Sequence, residues 1–356
     1  MKSSINARGI IAAASIALTS ALLATAAYAD NAPQYRILPA FDKVVVVVEE
    51  NEQAINIIGN SAAPYTNWLA NHGAYFTQSW GTEHPSQPNY FDLFAGEDEN
   101  NFDDNPPPVN PMSGDNLGAE LLHHGLSFAG YSENLPFVGD NVDNFGAAPT
   151  SAPGTHDYAR KHNPWANWQN DAYPANVGNL GSNYLPSTVN QTYEPFAAIS
   201  STGNFEALPT VSFVVPNQQH DDHGVAGGHT GNQLIGDGDT WLQNNISAYA
   251  DWAKHHNSLL IVTWDEDDYS SINQIPTIFF GDHVINGKFP ENHSLTYTSV
   301  INADGQPSGA PVYRMVRGIN HWNVLRTIED IYGLGHAGQS ATVSPITDVF
   351  TRQRMK

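Results

Sequence analysis

The sequence predicts an α/β fold: a mostly parallel sheet covered by helices on both faces, with long loop excursions around a site at one edge of the sheet. Three observations carry this. Short β-branched and aromatic runs are apolar throughout, as strands buried on both faces must be. Stretches of helical period separate them, and carboxylates, amides and histidines gather where the runs end. In chain order, Lys43–Val48 is the first buried run, and Glu49, Glu50 and Asn51 close it. A helix is expected near Tyr65–His72 and a strand over Ala74–Ser79. Pro85 and Pro88 bracket a helix start at Ser86 that runs on through the apolar-periodic Tyr90–Phe94. Thr210–Val215 reads as a strand, Asp239–His255 as an amphipathic helix, and Ser258–Trp264 as a second buried strand that ends in Asp265-Glu266-Asp267-Asp268. Ile275–Phe280 as a strand and His321–Tyr332 as a helix complete the pattern. Residues 97–118 and 133–205 are rich in Asn, Pro, Gly and Asp with little periodicity, so they read as excursions that wall the site.

With 36 acidic against 14 basic residues among 356, the net charge of −22 excludes a surface that binds nucleic acid by neutralising phosphates. There is no cysteine, hence no disulfide framework, thiolate nucleophile or thiolate metal site. Chemistry must come from oxygen and imidazole groups, and the 15 histidines outnumber lysines and arginines together. Residues 1–29 read as a cleaved export signal: Lys2 and Arg8 precede the apolar stretch Ile10–Ala27, and Ala27-Tyr28-Ala29 is a small-x-small cleavage site. Residues 30–356 are then one catalytic domain, exported to periplasm or medium. Losing Lys2 and Arg8 but no acid makes it still more negative and poorly attracted to anionic membranes. No later run approaches the roughly 18 apolar residues of a spanning helix, so no stable membrane anchor is expected after cleavage.

Glu50-Asn51, His84 with Ser86, Asp221-Asp222-His223 and Asp265-Glu266 all fall on one rim of the expected sheet. Carboxylates gathered there repel one another unless a cation joins them, and oxygen with imidazole donors suits Zn²⁺, Mn²⁺, Mg²⁺ or Ca²⁺. A serine at a helix N-terminus sits among free N–H groups in a positive dipole, where a phosphate binds and a metal can activate the hydroxyl. The combination points to phosphoryl transfer to Ser86 followed by hydrolysis. Each piece also has a plain reading. Glu50-Asn51 can be a turn and Ser86 a helix cap. Asp267 and Asp268 read as solvated loop charges, and His123, His124, His255, His256 and His336 as exposed or capping residues. Phe137, Tyr158, Trp165 and Trp168 either line a wall for a choline-bearing substrate or form mini-cores inside the loops.

Seven segments occur in one order: VVVVVEEN, HPSQPNY, RKHNPW at Arg160–Trp165, VVPNQQHDDHG, GDTWL at Gly238–Leu242, TWDEDD and INHWNVLRTIEDIYGL. On them, nearly the whole mature chain resembles the secreted acid phosphatase and phospholipase C phosphoesterases, distant relatives of alkaline phosphatase. HPSQPNY and the last segment bring it nearest the short bacterial and fungal acid phosphatases. The resemblance implies that Glu50, Asn51, Asp265 and Glu266 bind a metal and that Ser86 is the nucleophile facing it. It implies that His162 and His223 face the phosphate, one of them as proton donor to the leaving oxygen. Asp221 and His321 occupy places in the chain order where two-metal relatives hold further ligands, for a second ion or for phosphate. Those relatives carry Asp-His where this chain has Asp265-Glu266, which leaves one divalent ion as the default. Ser86-Gln-Pro-Asn lacks the arginine of the sulfatase pattern, so a formylglycine mechanism is disfavoured.

The function expected is an exported, metal-dependent acid phosphatase that takes small phosphate monoesters through a phosphoserine. The alternatives are a phospholipase C or phosphodiesterase on the same fold and an exported metal-binding protein without catalysis. A Ser-His-Asp esterase is disfavoured by the absence of a Gly-x-Ser-x-Gly elbow.

Overall fold

The structure, a computed structural model, describes residues 35–36, 38–107, 110–146, 157–225, 228–269, 272–289, 295–299 and 313–354. The export signal read at 1–29 lies outside them. The chain divides into two units. In one, Tyr35–Arg36 pairs antiparallel with Gln353–Arg354. The other, Leu38–Thr351, carries all that follows.

Eight strands form its central sheet: β1 (Lys43–Glu49), β2 (Ala74–Phe76), β3 (Phe128–Ser132), β4 (Asn190–Thr192), β5 (Val211–Val215), β6 (Ser258–Trp264), β7 (Thr277–Gly281) and β8 (Gly287–Phe289). The spatial order is β8-β2-β7-β6-β1-β5-β3-β4. From β6 to β4 every pairing is parallel, β7 runs against both of its neighbours, and β8 is parallel to β2. The sheet is therefore mostly parallel, as the apolar runs predict.

The unbroken valine run of β1 is explained by what lies on each side. Val44, Val46 and Val48 pack with α2 (Ser86–Ala95), α3 (Leu117–His123) and α6 (His321–Tyr332) through Phe91, Leu121 and Leu325. Val45 and Val47 pack on the opposite face with α1 (Pro64–His72), α4 (Glu194–Thr202) and α5 (Asn232–Ala253) through Leu69, Phe196 and Ile246. A strand buried on both faces has no polar alternation to show, and each fully buried valine contributes about 1.5–3 kcal/mol of transfer free energy.

Three boundaries differ from the sequence reading. The strand expected over Ala74–Ser79 breaks after Phe76, and Ser79–Trp80 pairs instead with Ile319–Asn320 just ahead of α6. Helix α5 starts at Asn232, seven residues earlier than expected, because Gly236 and Gly238 interrupt the period just after a first turn that buries Leu234 and Ile235. Strand β7 begins after Pro276, whose nitrogen has no proton for the ladder.

The second excursion reaches the core. Trp165 and Trp168 are fully buried and meet Phe94 edge-on, with Phe128 and Phe213 also against Trp165. Gly130 in β3 makes the room, since a Cβ there would lie 1.9 Å from the Trp165 ring. Tyr158 is buried as well, while Phe137 is 61% exposed. Of the two readings of these aromatics, Trp165, Trp168 and Tyr158 take the core one and form no substrate wall.

Candidate active site

The site is built where β1, β5 and β6 end. Glu49 and Trp264 are register partners, so the chain steps off both strands side by side. Asp265 N–H donates to the Glu49 carbonyl at 2.9 Å, and Asn51 N–H donates to Asp265 Oδ1 at 3.1 Å. Glu50 N–H donates to the Asp221 carbonyl at 2.6 Å and ties in the loop after β5. Asn89, one turn into α2, accepts from the Thr82 and Glu83 N–H groups at 2.9 Å and donates to the Glu83 and Pro85 carbonyls, which braces the turn that delivers Ser86. At α6 the Asn320 and Asn323 side chains form a capping box that sets His321 at the first helical position.

Ser86 Oγ lies 3.1 Å from Glu50 Oε2 and 3.0 Å from Glu266 Oε1, placed to donate its proton to either. His162 Nε2 stands 2.9 Å from Glu50 Oε1 and its Nδ1 3.4 Å from Asp221 Oδ2, with Tyr90 stacked on the ring. His223 N–H donates to Asp221 Oδ1 at 2.8 Å, and its Nδ1 lies 2.9 Å from the Gly224 carbonyl. Because that carbonyl only accepts, Nδ1 carries the proton and Nε2 keeps its lone pair. Lys161 Nζ donates to Nε2 at 3.3 Å and to Ser86 Oγ at 3.4 Å, and pairs with Asp104 Oδ2 at 3.0 Å. By the same logic His321 gives its Nε2 proton to the Asp265 carbonyl at 2.6 Å, which leaves Nδ1 buried with a lone pair and no partner. His84 bonds Glu266 through Nδ1, with Asp267 3.5 Å from its Nε2.

The charges do not balance without help. Burial would raise Glu50, but the His162 and Lys161 charges beside it hold it well below the usual carboxylate range. Burial would lower His162, yet Glu50 and Asp221 together outweigh it and bring the imidazole up to about 8. Asp265 and Glu266 are pushed far above their ordinary values by burial and then by the Glu50 charge, and Asp221 goes up to about 6 chiefly by burial. His223 and His321 fall to about 4, both mainly through burial. Asp265 Oδ2 and Asn51 Oδ1 are buried without a hydrogen-bond partner. Two buried hard oxygens left without a donor are of the kind a divalent cation satisfies. One oxygen of Glu50 and one nitrogen each of His162 and His223 also lie within 4.8 Å of one another, a mixed set equally able to hold such an ion.

Every residue singled out from the sequence falls in this region: Glu50, Asn51, Ser86, His162, Asp221, His223, Asp265, Glu266 and His321. The reading of Asp267 is corrected: it is fully buried, because Asn273 pairs with it through backbone and side chain at 3.0 and 2.9 Å. Asp268 is exposed as expected. Lys161 and Asp104 were given no role from sequence, although Lys161 precedes His162 in the RKHNPW segment.

The sequence matches the Phosphoesterase family over residues 42–335. It is 42% identical over 315 residues to a phosphatidylinositol-3-phosphatase of Mycobacterium tuberculosis, covering 88% of this chain and 84% of that one. It is 27% identical to a probable acid phosphatase of Kluyveromyces lactis and to an acid phosphatase of Aspergillus fumigatus, covering 68% of this chain in each case. The chain spans 52% and 48% of those two fungal proteins. A solved structure of a Vibrio parahaemolyticus protein in the alkaline phosphatase superfamily overlays 88% of this chain and 73% of its own at 12% identity and a TM-score of 0.49. The matched stretch runs from the start of β1 past the end of α6 and holds every residue of the site, and the chain belongs to the phosphoesterase family, hydrolases that act on phosphoric ester bonds.

Proposed function

We propose that this phosphoesterase is an exported, metal-dependent acid phosphatase that hydrolyses small phosphate monoesters through a phosphoserine on Ser86. The observation that carries the reading is the place of Ser86 Oγ: buried at the start of α2, within 3.1 Å of two carboxylates and in reach of the Lys161 ammonium. Neither a bare cation-binding protein nor a simple helix cap needs that constellation. The burial of Trp165, Trp168 and Tyr158 removes three of the four aromatics that a choline-accepting wall would use, which favours monoesters over the phospholipase alternative.

The steps follow from the side chains present. Ser86 Oγ attacks phosphorus in line and gives its proton to the Glu50 or Glu266 carboxylate. The bond to the leaving oxygen breaks, and protonated His162 supplies that oxygen with a proton. Water then attacks the phosphoserine, neutral His162 takes the proton of the water, and the carboxyl group returns its proton to Ser86. Burial pushes His223 down to about 4 and keeps it neutral, whereas the carboxylates beside His162 bring it up to about 8, so His162 is taken as the donor. Glu50, Asn51, Asp265, Glu266 and Ser86 would hold one divalent cation, a choice that leaves both imidazoles free; bound there, it supplies positive charge that lowers the hydroxyl pKa and offsets charge on the phosphoryl oxygens.

A substrate class follows from the Mycobacterium tuberculosis relative, which is named for a phosphorylated inositol lipid, so inositol monophosphate esters join the simple aryl and alkyl monoesters as candidates. Assays of wild type and Ser86→Ala between pH 5 and 8, on p-nitrophenyl phosphate and p-nitrophenylphosphorylcholine, test the reading. The expected result is a monoester preference that Ser86→Ala abolishes; preference for the choline diester, or a fully active variant, would overturn it. Export is tested by N-terminal sequencing of the secreted protein, which should begin at Asp30.

A further inference from the structure

The hydrogen bonds of Lys161 converge on the oxygen that is proposed to react. Its side chain is only 12% exposed. Its ammonium reaches Ser86 Oγ at 3.4 Å, His223 Nε2 at 3.3 Å and Asp104 Oδ2 at 3.0 Å. An ammonium has three protons and no lone pair, so all three contacts are donations. Among the described residues no other lysine or arginine hydrogen-bonds Ser86 Oγ.

The grip on Lys161 is itself built. Asp104 accepts the Gln87 N–H in the first turn of α2 at 3.1 Å on one oxygen and Lys161 on the other. The Gln87 side chain donates to the Asp103 and Asn105 carbonyls at 2.8 and 2.7 Å, which fixes the turn carrying Asp104. The loop carrying Asp104 is thus fastened to the helix that presents Ser86, and its carboxylate aims the lysine at the hydroxyl. A surface ion pair would be complete with Asp104 alone; here further protons go to Ser86 and to the unprotonated nitrogen of His223.

Resting on the reading of Ser86 as nucleophile, we infer that Lys161 is a catalytic residue, whose ammonium binds the Ser86 oxygen and the phosphoryl group it receives, and that Asp104 is the positioning residue that holds it there. Lys161 keeps all its protons throughout; the bond from Ser86 Oγ to phosphorus forms and the bond to the leaving oxygen breaks as before. A fixed cation placed where charge develops acts without reorganising, and loss of one such donor costs about 10²- to 10³-fold in turnover.

The absence of any other cysteine allows a clean test with Lys161→Cys. The metal-loaded protein is assayed on p-nitrophenyl phosphate before and after alkylation with 2-bromoethylamine, which rebuilds a lysine-like ammonium, or with iodoacetamide, which adds a neutral group. Lys161→Cys should lose about 10²-fold in kcat, regain most of it with the ammonium adduct and none with the neutral one. Because one preparation of Lys161→Cys recovers activity with the ammonium adduct and not with the neutral one, misfolding cannot mimic the result. Asp104→Asn should lower kcat with a smaller change in KM and weaken inhibition by vanadate more than inhibition by phosphate. If Lys161→Cys turns over within about threefold of wild type, or both adducts behave alike, while Ser86→Ala is inactive, the lysine assignment is overturned and the nucleophile stands. If Ser86→Ala is active, both fall.

Discussion

Asp265 shows how much of the site rests on single atoms. One of its oxygens accepts the N–H groups of Asn51 and Glu266 at 3.1 and 2.6 Å, and the other is buried with no donor. Asp265→Asn keeps the shape but removes the charge and turns part of that oxygen face into a donor. Cation affinity should fall by more than about tenfold, the lower end of what loss of an outer-shell partner costs, and chelator should abolish activity at a concentration the wild type tolerates. Titration of metal-stripped protein with Zn²⁺, Mn²⁺, Mg²⁺ and Ca²⁺ measures both. Glu50, Ser86 and Asp265 were legible in the sequence because each directly follows a strand or opens a helix, where local pattern fixes its place. Lys161 and Asp104 were not, because what they touch depends on how a loop folds back over α2. Asp267 was misread because a run of four acids looks solvated until the amide of Asn273 is seen to meet it.

Among the elements, α6 ties the site to the core. Its first residue is His321, and its last turn buries Glu329, which accepts from Ala337 N–H at 2.8 Å and Ser340 Oγ–H at 2.6 Å. Burial raises the Glu329 carboxyl to about 7 against those two bonds. Its folded value lies above its unfolded one, so folding favours the protonated form. That contribution is complete below about pH 4.5 and is lost as pH rises through about 7. Glu329→Gln keeps an acceptor for Ala337 without the charge. Wild type should therefore lose Tm relative to Glu329→Gln between pH 5 and 8, with a gap of about a few °C in thermal scans at matched ionic strength; a gap independent of pH would contradict the charge argument. The limits of α6 agree with the sequence reading because its apolar period is clean and Gly333 ends it in a left-handed turn. Helix α5 was under-read where glycines interrupt the period, and the β2 region was over-read because the switch from Phe76 to the Ser79–Trp80 pairing is made by a partner more than two hundred residues away.

For the molecule as a whole, the architecture followed from one physical fact: the inner residues of β1 and β6, Val44–Val48 and Leu259–Val262, have nothing polar to show to either side, so both must be central strands of a sheet covered twice. The order of the remaining strands and the reversed direction of β7 are set by tertiary pairing that no local pattern encodes. The mostly parallel sheet then places the ends of β1, β5 and β6 on one rim, and the helices α2 and α6 bring Ser86 and His321 to it. Fold and chemistry meet in the covalent role of Ser86. That role is tested most directly by acid-quenching the metal-loaded enzyme during turnover of p-nitrophenyl phosphate and mapping phosphate on its peptides by mass spectrometry. Phosphate should appear on the peptide that holds Ser86, within the dead time of the first turnover, and be absent from Ser86→Ala. A wild-type enzyme that turns over with no trapped phosphoserine, alongside a Ser86→Ala variant of comparable rate, would contradict it.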